Sequence, residues 1–331
     1  MKIIYFAFKH RFRYKDLNNF LNTRFYGNYL VLNLGGPFKH FIAKIFLKFR
    51  IGFAISCDAR PLIPDKNLGI NFFVRGTNLN IPIRFRDFKN NFVSINNPFY
   101  KEKNLFQIYP INIKSSLLKK KIKIIYVSGI NIETSEKEKF LWKKNKEIIL
   151  KNFTIIDNLS FWKNCLNEDD FKNYYTFYRK FKLLLRYEII NYLKKKFNDK
   201  FELLGDDWKK YFVNTISSNF NSKYIKSLYR GNICLDLGSI EGSSSLYSRS
   251  NQIIEAGGLI IQSQQADYNE VWGGLKEKIL FKNLDELNKL MNILLKDNYY
   301  SNQLLNEIQK NFSFSNKLIE KNLDMITKIS N

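Results

Sequence analysis

The sequence predicts an α/β protein with parallel sheets, and three observations support that prediction. The chain has 331 residues, enough for two α/β domains and more than a single hydrophobic core usually holds together. Hydrophobic residues make up 45% and aromatic residues 16%, as expected of a folded chain. From residue 122 onward, short apolar runs alternate with helical patterns, which predicts a parallel sheet with helices on both faces.

The first 115 residues contain short strand-like runs around one amphipathic segment. The predicted strands are residues 1–8, 28–34, 51–56, 70–74 and 91–95. Residues 38–49 (FKHFIAKIFLKF) have the pattern of a basic amphipathic helix, with Phe41, Ile45 and Phe46 on its apolar face. Residues 1–115 contain no family motif, and a charge-rich segment at 115–123 marks the predicted join to the second half.

The second half has a more regular pattern. The predicted strands are residues 122–127, 201–204, 232–237 and 259–262, with 152–156 as a further strand or strand edge. The predicted helices are residues 136–150, 174–197, 224–229, 248–256, 284–295 and 299–312. Ligands of parallel sheets bind beyond the carboxyl ends of the strands, so the loops after Val127, Leu204, Leu237 and Gln262 are the expected site.

Charge and cysteine usage restrict the classes of partner and compartment. The chain has 54 basic and 30 acidic residues, a net charge of +24, which favours nucleic acid, an anionic membrane surface or phosphorylated substrates. The abundance of Lys, Asn, Ile and Phe is also typical of AT-rich codons, so genome composition is an alternative source of the excess lysine. The 3 cysteines have no paired spacing. With no leader and no spanning apolar run, they predict a cytoplasmic protein.

The segment 229–262 contains the most informative motif, a strand, a Ser/Gly-rich loop, a helix and a Gly-Gly turn. The loop 238–245 (GSIEGSSS), which includes Ser244 and Ser245, would present backbone N–H groups at a helix N-terminus, where a phosphate is favoured. Arg249 in the first helical turn could add a bidentate phosphate contact. The alternative is that this segment is an ordinary surface loop.

This segment resembles the donor-binding core of the glycosyltransferases related to the spore maturation protein CgeB, within the group 1 (GT-B) superfamily. Where those enzymes have a tyrosine, a turn and a strand, this chain has Tyr229-Arg230-Gly231-Asn232-Ile233-Cys234-Leu235-Asp236. Their arginine eight residues before a glycine corresponds to Arg249 and Gly257. Their Tyr-Gly-x-x-Trp strand end is similar to Leu203-Leu204-Gly205-Asp206-Asp207-Trp208 in this chain. Arg186 resembles the arginine on the helix that precedes that strand. Residues 277–295 resemble a further recurring segment, so the similarity spans roughly residues 122–315.

The resemblance implies two Rossmann-like domains facing a cleft, with a short and atypical N-terminal domain. Residues 1–116 would form the acceptor side, residues 117–300 the donor-binding domain, and residues 301–331 a C-terminal helix returning toward the N-terminal domain. The implied donor-binding residues are Gly129, Arg186, Gly205, Ser244, Ser245, Arg249, Gln252, Glu255 and Gly257. The nucleotide-diphosphate sugar is a co-substrate, and no metal or bound cofactor is expected, because helix dipoles and basic side chains can stabilise the leaving diphosphate.

One position departs from the family pattern. Gln252 occupies the place of the glutamate that usually holds the ribose hydroxyls of the donor. Glutamine can accept a hydrogen bond through its carbonyl oxygen but adds no charge. Glu255, one helical turn further on, could substitute for it. The alternative is that donor binding is lost or altered in this chain.

The catalytic base of an inverting transferase would come from the N-terminal domain. His10, after the first predicted strand, and Asp58, after the strand at residues 51–56, are equal candidates. For each of them, the alternative is a solvated surface residue. No family motif distinguishes the two.

The leading hypothesis is a cytoplasmic, peripheral membrane glycosyltransferase of the hexosyltransferase type, acting in cell-surface polysaccharide biosynthesis on a glycan, lipid-linked or protein acceptor. The basic amphipathic helix at residues 38–49 suits an anionic membrane surface, although its apolar face could instead pack on the sheet of its own domain. The alternative function is a catalytically inactive basic module that binds nucleic acid or a glycan-assembly complex. Nucleic acid is the less expected partner, because Arg84-Phe85-Arg86 and similar pairs fit no RNA-binding signature.

Overall fold

The computed structural model describes residues 2–7, 29–33, 41–42, 45, 49, 53–57, 71–75, 91–95, 116–217, 222–238, 240, 248–264 and 272–311. The chain divides into two compact units, one of Met1–Ile111 with Ser313–Asn331 and the other of Asn112–Phe312. Each unit contains one five-stranded sheet. The predicted α/β class with parallel sheets is confirmed.

The sheet of the first unit contains all five strands predicted for that region. They are β1 (Lys2–Ala7), β2 (Tyr29–Asn33), β3 (Phe53–Cys57), β4 (Asn71–Arg75) and β5 (Asn91–Ile95). Their order is β2-β1-β3-β4-β5, and every neighbouring pair is parallel. Parallel neighbours need crossover connections. Because β2 lies on one side of β1 and β3 to β5 lie on the other, the direction in which the chain adds strands reverses between β1 and β3.

A helical stretch between β2 and β3 exposes apolar side chains. Phe41, Ile42 and Ile45 are helical, and the Phe49 N–H donates to the Ile45 carbonyl at 3.3 Å. The side chains of Phe41, Ile45 and Phe49 are 61%, 42% and 70% exposed. Residues four apart share a helix face, so these three form one exposed apolar stripe. Phe46 lies outside the described residues. None of the helices in the described ranges has the length and apolarity that a membrane crossing requires.

The sheet of the second unit repeats the same strand order. Its strands are β6 (Ile124–Val127), β7 (Phe201–Leu204), β8 (Ile233–Asp236), β9 (Leu259–Ser263) and β10 (Leu280–Phe281), in the order β10-β9-β8-β6-β7. All neighbours are parallel, and β6, β8 and β9 are buried along their whole length. Burial on both faces explains why these strands are continuous apolar runs rather than alternating ones. The strand order reverses between β6 and β8.

Helices lie between and after these strands, and six of the nine described α-helices of this unit end within two residues of the predicted bounds, whereas the short ones at residues 159–165, 168–171 and 276–279 were not predicted. The helices are α1 (Glu136–Lys151), α2 (Leu159–Cys165), α3 (Glu168–Phe171), α4 (Tyr174–Phe197), α5 (Ser222–Tyr229), α6 (Ser248–Ala256), α7 (Lys276–Ile279), α8 (Leu284–Lys296) and α9 (Asn298–Asn311). Helix α9 packs against α8 and β9. The predicted return of residues 301–331 toward the N-terminal domain stays a prediction, because residues 312–331 lie outside the described ranges.

The predicted strand at residues 152–156 is wrong. Phe153–Asp157 forms a 3₁₀ helix, whose first turn is capped by the Asn152 side chain accepting from the Thr154 N–H. Side chains three apart point the same way in a 3₁₀ helix, and Phe153 and Ile156 are both buried. The β-branched composition favoured a strand, but the asparagine cap and the i, i+3 spacing determined the outcome.

Helix α4 is the longest helix of the second unit and is held by an aromatic cluster. Phe181 on α4 has its ring centroid 5.2 Å from that of Trp142 on α1 and 5.1 Å from that of Trp162 on α2. All three side chains are buried. Such edge-to-face contacts fix the rotation of α4 about its axis, and therefore which of its side chains turn toward the sheet edge.

Candidate functional site

A cleft of about 370 Å³ opens at the carboxyl ends of β6, β7 and β8. Its lining residues come from the loops after these three strands and from one face of α4: Gly129, Ile130, Asn131, Asp207, Ile240, Thr176, Arg179, Lys180, Leu183 and Arg186. The loops after β6 and β8 flank the point where the strand order reverses. In doubly wound sheets the ligand binds at this point.

The charge of the cleft favours an anion. Arg179, Lys180 and Arg186 face a single carboxylate, that of Asp207, among the lining residues. The Lys180 ammonium donates to the Glu133 carbonyl, in the loop after β6. Arginine and lysine donate charge-assisted hydrogen bonds to phosphate oxygens, and a concave surface concentrates their field. The arrangement suits a ligand with two or more negative charges.

Arg186 joins helix α4 to the loop that follows β8. Its side chain is buried, and its guanidinium donates to the Gly238 carbonyl. The Gly238 N–H donates to Asp236 Oδ1 at 3.0 Å. Gly238 is therefore held through both its carbonyl and its amide, so the start of the loop has a defined position against α4.

A buried polar network underlies this loop. Asp236 Oδ2 accepts hydrogen bonds from Ser250 Oγ at 2.5 Å and Gln262 Nε2 at 3.0 Å, while Gln262 Oε1 accepts from Trp272 Nε1 at 2.7 Å. These contacts join the end of β8, the first turn of α6 and the end of β9. A carboxylate buried this deeply needs several donors, and here it has three, counting the Gly238 N–H. Sequence reasoning missed the network, although a polar residue inside the apolar run Leu259–Ser263 was a signal for it.

Two of the predicted glycines follow strand ends at the cleft: Gly129 lines it, and Gly205 lies beside it at the end of β7. Gly205 has φ 140°, and a Cβ atom built there would lie 2.0 Å from the Ser128 carbonyl oxygen. A Cβ atom at Gly129 would lie 2.8 Å from Asp207 Oδ2. The ends of β6 and β7 can approach this closely only because Gly205 lacks a side chain, whereas at Gly129 the near atom is the tip of an exposed side chain that can rotate.

Arg249 and Gln252 lie in the amino-terminal half of α6. The Arg249 guanidinium carbon is 5.9 Å from the centre of the Tyr126 ring, a cation–π contact. Burial raises the pKa of Tyr229, and the Arg249 charge opposes that rise. Gln252 is half-buried. Neither residue lines the cleft in the described structure, and the assigned loop residues Ser244 and Ser245 lie outside the described ranges.

Glu255 and Gly257 lie at the other end of α6. The rise of 1.5 Å per residue places Glu255 about 9 Å along the helix from Arg249. The Glu255 carboxylate accepts from Lys226 Nζ at 3.3 Å. Gly257, with φ 79°, ends the helix: its N–H donates to the Ile254 carbonyl, and the Gly258 N–H donates to the Ile253 carbonyl. The structure does not bring these two residues to the cleft.

The catalytic candidates of the first unit lie outside the described residues. His10 and Asp58 follow β1 and β3, which are neighbouring parallel strands with Ala7 opposite Ser56. Their assignment as candidate bases stays a prediction. In the described part of the chain, no group of three or more His, Cys, Asp or Glu side chains could hold a metal ion.

Comparison with known proteins identifies no relative: no family model matches the chain, and neither a curated protein nor a solved structure matches it significantly. Function must therefore be inferred from the cleft and from the sequence motifs that surround it.

Proposed function

We propose that this chain is a glycosyltransferase that binds a nucleoside-diphosphate sugar in the cleft at the ends of β6, β7 and β8. The sugar would pass to a glycan, glycolipid or protein acceptor. The observation that carries the proposal is the coincidence of two independent features. The cleft is basic and lies where the strand order reverses, and it is lined by Gly129 and Arg186, which the sequence resemblance assigns to the donor, with Gly205 beside it.

The chemistry requires stabilisation of a departing diphosphate. Arg179 and Lys180 would contact its oxygens from α4, and the N-terminus of α6 would add its positive dipole end. Arg186 would act through Gly238 by holding the start of the loop. The two-domain GT-B architecture belongs to this proposal, and the shared strand order of the two sheets supports it. A catalytic base, His10 or Asp58, would come from the first unit.

Removing the α4 charges at the cleft should weaken nucleotide binding. In a thermal-shift screen of UDP, GDP, ADP, CMP and TDP, we expect at least one nucleotide to raise the melting temperature of the wild type. The double variant Arg179→Gln/Lys180→Gln should bind that nucleotide at least about 10-fold more weakly, because each charge-assisted hydrogen bond contributes roughly 1.5–3 kcal/mol.

The matched control for this experiment removes two positive charges from the same helix away from the cleft. Lys195→Gln/Lys196→Gln changes the last turn of α4, where both side chains are exposed. Equal loss of affinity in both double variants would mean that general charge, and not the cleft, attracts the nucleotide. Failure of every nucleotide to stabilise the wild type, with steeply salt-dependent binding of DNA or RNA, would favour the alternative of an inactive basic module.

A membrane-bound acceptor would require the enzyme to reach a lipid surface, and the exposed stripe of Phe41, Ile45 and Phe49 suits that role. Lysines interleave with this stripe in the sequence, at Lys44 and Lys48. An apolar face with basic neighbours binds the headgroup region of anionic bilayers. We expect the wild type to float with anionic phosphatidylglycerol vesicles at low salt, and Phe41→Ser/Phe49→Ser to lose most of that binding.

Phe140→Ser serves as the control for flotation, because Phe140 on α1 is also 67% exposed but belongs to the second unit. Flotation of both variants to the same extent as the wild type would exclude this stripe as the contact. Absence of wild-type flotation at low salt would end the membrane proposal and leave the nucleotide site untouched.

A further inference from the structure

We infer that Asp207 is the residue with which the cleft recognises the hydroxyl groups of its ligand, so that the cleft selects a vicinal diol attached to a diphosphate over a bare anion. The inference rests on the proposed function and extends it, because it assigns the hydroxyl-binding role to a residue outside the family glutamate position, where this chain has Gln252.

Asp207 is exposed, but the residues around it are fixed. The side chain of Trp208 is fully buried, its indole N–H donates to Ser128 Oγ at 3.3 Å, and its backbone N–H donates to the Gly205 carbonyl at 3.1 Å. Gly205 in turn lies against the Ser128 carbonyl. The backbone that carries Asp207 is therefore tied to the end of β6, which preorganises the carboxylate for a ligand.

The carboxylate of Asp207 extends over Gly129. A Cβ atom at position 129 would lie 2.8 Å from Asp207 Oδ2, so the absence of a side chain there leaves the space that the carboxylate occupies. Gly129 and Asp207 both line the cleft, together with the three basic side chains of α4. A ligand in the cleft would meet the acidic oxygen from one strand end and the cations from the helix.

Other carboxylates in the described part of the chain have partners of their own, and Glu133 in the loop after β6 accepts from Asn131 Nδ2 at 3.3 Å. Asp206 accepts from Ser217 Oγ at 2.8 Å and pairs with Lys209 at 3.1 Å. Asp236 is fully buried at the end of β8 and accepts from three donors. Glu255 pairs with Lys226 at the far end of α6. Of the described residues that line the cleft, Asp207 is the one that offers a carboxylate.

An acidic residue in a basic cleft is informative because it opposes binding of a simple anion. Its negative charge repels phosphate, so a cleft that held only phosphate would bind it better without Asp207. A carboxylate accepts hydrogen bonds and donates none, and two adjacent hydroxyls can donate to its two oxygens. Ribose and most hexoses carry such a diol, so a nucleoside diphosphate or its sugar conjugate satisfies both halves of the cleft.

The experiment compares Asp207→Asn with Asp206→Asn, which removes the same charge one residue away and outside the cleft. Binding is measured by calorimetry with three kinds of probe: inorganic pyrophosphate, the nucleoside diphosphates UDP, GDP and ADP, and their glucose conjugates. We expect Asp207→Asn to bind the preferred nucleoside diphosphate about 10-fold more weakly, because a charged acceptor is replaced by a neutral one. The same variant should bind pyrophosphate as tightly as the wild type or more tightly. Asp206→Asn should leave the affinities for the nucleoside diphosphate and for pyrophosphate unchanged.

A loss of affinity for the nucleoside diphosphate without a loss for pyrophosphate separates recognition from a structural role, which would weaken binding of both. Weaker binding of the nucleoside diphosphates assigns the diol to ribose, and weaker binding of the glucose conjugates alone assigns it to the transferred sugar; either supports the inference. Unchanged affinity for every probe, or a parallel loss for pyrophosphate and nucleotide, overturns it and leaves the proposed function standing. A wild type that binds none of the probes overturns both.

Discussion

Replacing Lys182 with methionine is expected to lower the free energy of unfolding by about 3–5 kcal/mol, because it leaves a buried carboxylate without its cation. Lys182 Nζ lies 3.0 Å from Asp157 Oδ1, and the two side chains are only 7% and 9% exposed. The Tyr178 hydroxyl donates to the same oxygen at 3.1 Å. Methionine has a similar length and fills the same space, so the loss of stability reports the missing charge and not a change in packing.

The penalty should shrink as the pH is lowered. Burial raises the pKa of Asp157 above its ordinary value of 3.8, and Lys182 opposes that rise. Without Lys182 the pKa in the folded state rises further, while the unfolded value stays the same. When a carboxyl has a higher pKa in the folded state than in the unfolded state, its protonated form favours folding. That contribution to stability is complete below the unfolded pKa and is lost as the pH rises through the folded pKa. The variant is therefore expected to lose stability relative to the wild type as the pH rises above 3.8.

Urea denaturation followed by circular dichroism at several pH values measures both effects, and Lys172→Met provides the control. Lys172 pairs with Asp169 at 2.8 Å, but the two side chains are 73% and 90% exposed. Exposed pairs contribute about 0–1 kcal/mol, so this variant should remain close to the wild type at every pH. Equal, small losses in both variants would contradict a buried ion pair between Lys182 and Asp157.

The Lys182 pair also bears on the cleft, because Arg179 and Arg186 lie three and four residues away on α4. Side chains three or four residues apart are neighbours on the surface of a helix. The ion pair with Asp157 anchors α4 to the preceding 3₁₀ helix. A loosened α4 would displace the basic face of the cleft. We therefore expect the Lys182→Met variant to bind nucleotide more weakly at temperatures where it is still folded.

Substituting alanine for Gly205 should destabilise the fold by about 2–6 kcal/mol, the sum of backbone strain and overpacking. The backbone at Gly205 has φ 140°, which side chains rarely adopt. The new Cβ atom would lie 2.0 Å from the Ser128 carbonyl oxygen. That oxygen belongs to the backbone, so no side-chain rotation can relieve the clash, and the ends of β6 and β7 must separate.

Gly274→Ala is the matched control for this substitution. No heavy atom lies within 4 Å of a Cβ atom built at Gly274. Its stability should stay within about 1 kcal/mol of the wild type, with a gain if the lower entropy of the unfolded chain dominates. Thermal unfolding of both variants measures the difference. A Gly205→Ala variant as stable as the wild type would show that the strand ends do not approach as closely as described.

Much of the fold of the second unit could be predicted from local patterns. The predicted bounds of α4, α6 and β7 coincide with Tyr174–Phe197, Ser248–Ala256 and Phe201–Leu204. Hydrophobic periodicity is a local property, and the buried face of each element repeats along it. The same approach failed at residues 152–156, where the Asn152 cap and the burial of two residues three apart outweighed β-branched composition.

The candidate site was only partly predictable. Arg186 came from a motif and Gly129 from the end of a predicted strand, and both line the cleft; Glu255, inferred from its helical spacing to Gln252, lies at the far end of α6. Helical spacing placed Glu255 on a shared face with Gln252, but it did not indicate which edge of the sheet that part of the helix reaches. Lys226 on α5 provides the partner for Glu255.

The sequence by itself determined most of the strands, the longer helices and the glycines of the strand ends, because these depend on neighbours a few residues apart. Only the tertiary structure decided that Asp207 and Arg179 share a cleft and that Lys182 is buried against Asp157. The strand order places β6 between β7 and β8. Helix α4, from the connection between β6 and β7, therefore lies beside the loops that follow β6, β7 and β8. Such neighbours are set by packing between distant segments, and no pattern within any one segment encodes them.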